Sequence, residues 1–177
     1  MRTEYIHRQE MAHILAALTP PNRLACEISM STGLRISDVL GLRTEALRGT
    51  TDGRLSVRES KTGKLRRVKL AREYIKRALS MAGKVYVFAH RTDWRKHRTR
   101  QAVYKDLKRA AALYRVQANI APHSLRKIYA VDARNRAGGD TKRVQRLLCH
   151  TDEAVTMIYA MADELTARRR GKPKAKP

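Results

Sequence analysis

HSLRKIYAVDARNRAG (residues 123–138), followed shortly by QRLLCHTDEAVTMIYA (145–160), concentrates both the helix signals and the reactive side chains of this chain. Pro122 pre-sets a helix start in which His123 and Arg126 lie one turn apart, and Gly138-Gly139 ends that helix. A second helix is predicted over 141–148, with Val144, Leu147 and Leu148 inward. His150 falls at its end, Asp152 caps the next helix, and Tyr159 lies on it. Two imidazoles, a guanidinium and a phenol are therefore far apart in sequence but placed to converge. Guanidinium and imidazole donors suit a phosphate, and a phenol beside them is a candidate nucleophile.

Working outward, residues 7–18 read as an amphipathic helix, with Met11, Ile14, Leu15 and Leu18 on one face. Pro20 and Pro21 interrupt it. A mostly apolar, hence buried, helix runs from Asn22 to a C-cap at Gly33. Arg35 follows at the junction with a third helix, for which Ser37 is the expected cap. A guanidinium at such a junction needs an anion, either a ligand or a carboxylate such as Asp38 one turn on. The period then changes. Leu55 and Val57, then Val68 and Leu70, alternate with polar residues around Thr62-Gly63, which predicts a β-hairpin with one apolar and one basic face. Lys61 lies just before its turn. Residues 71–82 return to helix, YVFAH (86–90) reads as extended, RTDWRKHRTR (91–100) as a basic loop, and 99–116 as a long helix. On that helix and its neighbour, Tyr114 and Tyr129 are expected in the core.

Among 177 residues, 39 Lys and Arg oppose 16 Asp and Glu, a formal charge of +23. An imbalance of this size points to a polyanionic partner, since every phosphate neutralised releases counterions. The length suits one domain, here 1–168, with a basic, Pro-broken tail (169–177) expected to be disordered. Aromatics at 5% against 42% hydrophobic residues imply an aliphatic core. Cys26 and Cys149 show no metal-ligand spacing, and there is no Walker loop, apolar leader or long apolar run. No metal, cofactor or membrane is expected, and the location expected is cytoplasmic, on the nucleoid.

TGLRISDVLGL (32–42), ESKTGKLRRVKL (59–70), HSLRKIYA (123–130) and LLCHTDEAVTMIYA (147–160), with the entry YIHRQEMAHIL (5–15), resemble in order and spacing the catalytic domain of the tyrosine recombinase (phage integrase) family. The resemblance covers most of residues 4–165. It implies an α+β, mainly α-helical domain with a small antiparallel hairpin at one edge. It also implies roles. Arg35 and Arg126 resemble the arginines that hold the scissile phosphate, and Tyr159 the nucleophile that forms a 3′-phosphotyrosine. Lys61 resembles the general acid for the leaving 5′-oxygen, with Lys64 as competitor. His123 resembles the acid/base partner of the tyrosine and His150 a further phosphate donor, while Asp38 supports the architecture. Lys64, Arg66, Arg67, Arg95, Lys96, Arg98 and Lys127 are expected to bind DNA.

Two positions depart from the pattern. Cys149 stands where glycine commonly precedes the second histidine, and Lys127 where His or Arg is frequent. The family's N-terminal core-binding domain is expected to be absent. The implied activity is metal-independent, site-specific cutting and rejoining of double-stranded DNA by a homo-oligomer, a tetramer on DNA and a monomer or weakly associated when free. A type IB topoisomerase and a DNA-binding regulator without catalysis are the alternatives.

Overall fold

A computed structural model describes residues 3–148, together with Thr156, Tyr159, residues 161–164 and Thr166. The described elements run α1 (Arg8–Ala16), α2 (Pro20–Thr32), α3 (Ile36–Leu40), α4 (Thr44–Arg48), β1 (Arg54–Arg58), β2 (Leu65–Lys69), α5 (Arg72–Ser80), α6 (Arg100–Leu113), α7 (Pro122–Arg136) and α8 (Thr141–Leu148). The α+β, mainly helical class is borne out. His150, Cys149, Asp152 and the tail at 169–177 lie outside the described residues.

Two helices carry the centre. α2 buries Leu24, Ala25, Cys26, Ile28 and Met30, and α7 buries Leu125, Ile128, Ala130 and Val131, so each is apolar over most of its circumference. That is the pattern of a helix enclosed by others. Each fully buried Leu or Ile contributes roughly 1.5–3 kcal/mol to the contact. α1 adds Met11, Ile14 and Leu15, and α6 adds Val103, Leu107 and Ala110. Pro20 begins α2, where its missing N–H costs nothing. Thr99 caps α6, its hydroxyl accepting from the Ala102 amide at 3.1 Å.

The main core ends within α7. Tyr129, Ala130 and Ala133 face away from it and form a second cluster with Val144 and Leu148 of α8. Gly33, the C-cap of α2 with φ +67°, is the close approach between the two clusters. A Cβ there would stand 2.4 Å from the Tyr129 ring. β1 and β2 pair antiparallel with Leu55 opposite Val68 and Val57 opposite Arg66.

Several local expectations are corrected. Arg35, not Ser37, is the N-cap of α3. Tyr114 is exposed because α6 stops at Leu113 and the chain reverses at Arg115, φ +52°. Leu147 also faces out, while Val144 and Leu148 are the α8 residues buried in the second cluster. Tyr129 is buried, as predicted. No helix among the described residues is long and apolar enough to cross a membrane.

Candidate active site

The left-handed turn at Gly33 reverses the chain out of α2 and delivers Arg35 at the start of α3. Its guanidinium does not pair with Asp38. Arg35 Nη1 donates instead to Glu59 Oε2 at 2.6 Å. Asp38 Oδ1 accepts from the amide and the hydroxyl of Ser60, at 2.9 and 2.7 Å. Arg35 and Asp38 thus grip the turn after β1 from adjacent points of one short helix. Thr62 closes the same turn by donating to Glu59 Oε2 at 2.9 Å. Lys61 lies between Ser60 and Thr62, exposed, as is Lys64 three residues on.

Glu59 is the member of this cluster that sequence reasoning does not single out. It is wholly buried, at 0% exposure. Its Oε1 lies 3.7 Å from Nη1 of both Arg66 and Arg126. Burial pushes its carboxyl up, but hydrogen bonds from Arg35 and Thr62 and the charges of Arg35 and Arg126 outweigh this and hold it below the usual range. A signal was there to read. Glu59 continues the inward phase of Leu55 and Val57, and Arg66 continues that of Val68 and Leu70. An acid and a base at apolar-phase positions of facing strands announce a buried pair.

Arg126 projects from α7 into the same place. Its Nη1 donates to the Gly33 carbonyl and its Nη2 to the Leu148 carbonyl, both at 2.7 Å. Burial, then the charges of Arg35 and Arg66, push the guanidinium down to about 10, which leaves it charged at neutral pH. One turn earlier, His123 stands at the exposed start of α7 beside a cleft of about 590 Å3 lined by Thr99, Arg100, Gln101, Tyr104, Ala121 and Pro122. Its Nδ1 lies 3.3 Å from the Tyr159 hydroxyl. Partial desolvation, then the charges of Arg100, Arg126, Arg35 and Lys127, lower the His123 pKa. The imidazole is therefore neutral near pH 7, the form that accepts a proton. Tyr159 is half-buried against the second cluster.

The structure thus brings Arg35, Arg126 and Glu59 together, and sets His123 against Tyr159. Guanidinium N–H groups beside a phenol that faces a neutral imidazole can bind a phosphodiester and attack it. Among the described residues no group of three or more His, Cys, Asp or Glu side chains could hold a metal ion.

The family model described as the phage integrase family matches residues 4–165. The chain belongs to this family. Tyrosine recombinase XerD of Ralstonia nicotianae is 32% identical over 78% of this chain and 47% of that protein. The integrase of Escherichia phage P2 is 27% identical over 89% of this chain and 43% of its own length. Among solved structures, a lambda integrase dimer bound to a COC′ core site superposes with a TM-score of 0.77, at 21% identity, over 100% of this chain and 63% of that one. XerA recombinase gives 0.68 at 23% identity, over 98% of this chain and 68% of that one. At these identities the structural likeness is one of fold. The chain spans about half the length of the curated relatives it matches.

On this phage integrase family domain the cations expected at DNA fall into two groups. Lys64, Arg67, Arg95 and Lys96 are exposed and Arg98 partly so. Trp94, also exposed, lies between Lys84 and Arg95, 5.0 and 5.6 Å from its ring. Arg66 and Lys127 form the second group. Arg66 shares the inward face of β2 and donates to the Thr32 and Gly33 carbonyls. Lys127 sits on the enclosed helix α7 and donates to the Thr3 carbonyl. Both are buried.

Proposed function

We propose that this domain cuts and rejoins double-stranded DNA at specific sites through a covalent 3′-phosphotyrosine, without metal or other cofactor. Arg35 and Arg126 hold the non-bridging oxygens of the scissile phosphate. The Tyr159 oxygen attacks phosphorus as its proton passes to His123 Nδ1. The bond from phosphorus to the 5′-oxygen breaks, and Lys61 protonates that oxygen. Attack by a 5′-hydroxyl of another strand reverses the step, returning the proton to Tyr159. One phosphodiester is exchanged for another, so no nucleotide hydrolysis is needed. His150 is a further phosphate donor, and Asp38 holds the turn that carries Lys61.

The observation that carries this reading is the 3.3 Å approach of Tyr159 to His123, one helical turn from Arg126. Family membership and the lambda integrase dimer described on its core site support a DNA partner and assembly on DNA, for which we propose a tetramer. Free protein is then monomeric or weakly associated, and the domain occupies residues 1–168.

The test is a nicked suicide substrate carrying the cognate site. Wild-type protein is expected to be trapped covalently on the DNA, and Tyr159→Phe to give only background, a drop on the order of 10⁴-fold or more. Equal trapping by the variant would sink the assignment of Tyr159.

A further inference from the structure

We propose that Glu59 is a positioning residue for strand cleavage, fixing Arg35 and Arg126 against the phosphate and tying them to the turn that carries Lys61. This rests on the strand-exchange reading above. Three guanidiniums, of Arg35, Arg66 and Arg126, present an Nη1 to one carboxylate, at 2.6 Å for Arg35 and 3.7 Å for the other two. Without an anion, like charges this close and this poorly solvated repel and splay. Among the described residues Glu59 Oε1 has no hydrogen-bond partner, and it lies 3.7 Å from two of the cations, so charge holds it there.

Burial decides between two ways an acid could act here. An exposed carboxylate would compete with the scissile phosphate for Arg35. Glu59 is 0% exposed, whereas Arg35 retains 18%, so the acid lies behind Arg35 and the phosphate approaches that guanidinium from its open side. It therefore binds the inner edge of Arg35 and leaves the remaining N–H groups to the ligand. The link to Lys61 is covalent and hydrogen-bonded. The Glu59 amide donates to the Lys64 carbonyl at 2.9 Å, the Gly63 amide to the Glu59 carbonyl at 2.8 Å, and Thr62 to its side chain. One residue is thus both the anion of the arginine cluster and the base of the acid-bearing turn.

Glu59→Gln keeps the size and an acceptor for Arg35, removes the charge and turns the other oxygen into an NH2 donor. On the suicide substrate its single-turnover cleavage rate is expected to fall about 10- to 100-fold, the scale of a small misplacement of reacting groups. The Kd for the same duplex should change less than about threefold, because exposed cations carry binding. Glu59→Asp, which restores the charge, should recover part of the rate. Cleavage by Glu59→Gln at the wild-type rate would overturn the proposal while leaving strand exchange intact. Absence of a wild-type adduct would instead sink strand exchange and this role with it. Should Glu59→Gln fail to fold, Thr62→Val tests the same link: a several-fold slower rate at unchanged Kd supports it, and a wild-type rate overturns it.

Discussion

Arg35, Arg126 and Glu59 stand on the main core between α2, α3, α7 and the hairpin, whereas Tyr159 leans on a satellite of five buried residues shared by α7 and α8. The first group is fixed by direct bonds to carbonyls and a buried acid before any DNA arrives. Among the described residues the second rests on an apolar contact with that satellite and lies 3.3 Å from His123. The contrast separates two requirements of phosphoryl transfer. Charge stabilisation benefits from groups that need no reorganisation, while the nucleophile needs only a surface to rest on and a base within reach. Among the described residues the two halves meet at the bond from Arg126 to the Leu148 carbonyl and where Tyr129 covers Gly33.

The sharpest way to probe the fixed half is Arg126→Ala. Single-turnover adduct formation should fall roughly 10²- to 10³-fold, the cost of losing a preorganised donor to transition-state charge. Arg126→Lys should stay near the alanine value, because an ammonium cannot span the Gly33 and Leu148 carbonyls and the phosphate as a planar fork does. Near-full rescue by lysine would mean that position is a simple point charge and that the fixed half is less ordered than its bonds suggest.

Gly33→Ala attacks the junction. Both the positive φ and the Tyr129 ring oppose a Cβ, so folding stability should drop by about 2 kcal/mol or more, read from the urea midpoint. Because Tyr129 also lines the satellite, adduct formation should fall in protein that remains folded. Loss of stability with normal cleavage would show that the halves are mechanically independent.

The nucleophile half is tested by pH. The lowered pKa of His123 leaves it neutral as proton acceptor at neutral pH. Cleavage should therefore be level above pH of about 6.5 and then decline by up to about tenfold per unit once the imidazole protonates. The sign follows from the role: the protonated ring cannot accept from Tyr159. His123→Ala should be slower throughout and lose this acid limb. An unchanged limb in that variant would assign it to another group.

The sequence foretold the elements that follow hydrophobic period, namely α2 to its Gly33 cap, the hairpin, α7 to Gly138-Gly139 and α8. It also carried Arg35, His123, Arg126 and Tyr159 through motif order. It hid what depends on tertiary pairing. Asp38 is the nearest acid to Arg35 in sequence, yet Glu59 takes the guanidinium because the hairpin turn brings it behind α3, and Asp38 turns to Ser60. Tyr114 was misplaced because periodicity does not say where a helix stops. Positive charge alone does not show burial: Arg66 and Lys127 lie on buried faces with carbonyl partners.

The smallest predicted effect separates neighbours on β2. Arg67 faces outward and Arg66 inward. Arg67→Ala should lower DNA affinity modestly and reduce the slope of log K against log salt by about one, the signature of one lost phosphate contact. Arg66→Ala should leave that slope unchanged and act on stability instead, since its guanidinium serves the Thr32 and Gly33 carbonyls and Glu59. Fluorescence-anisotropy titrations of one duplex at several salt concentrations measure both slopes. Equal slope changes for the two variants would mean that the hairpin turns both faces to DNA, and the buried arginine would then have to leave its carbonyls on binding.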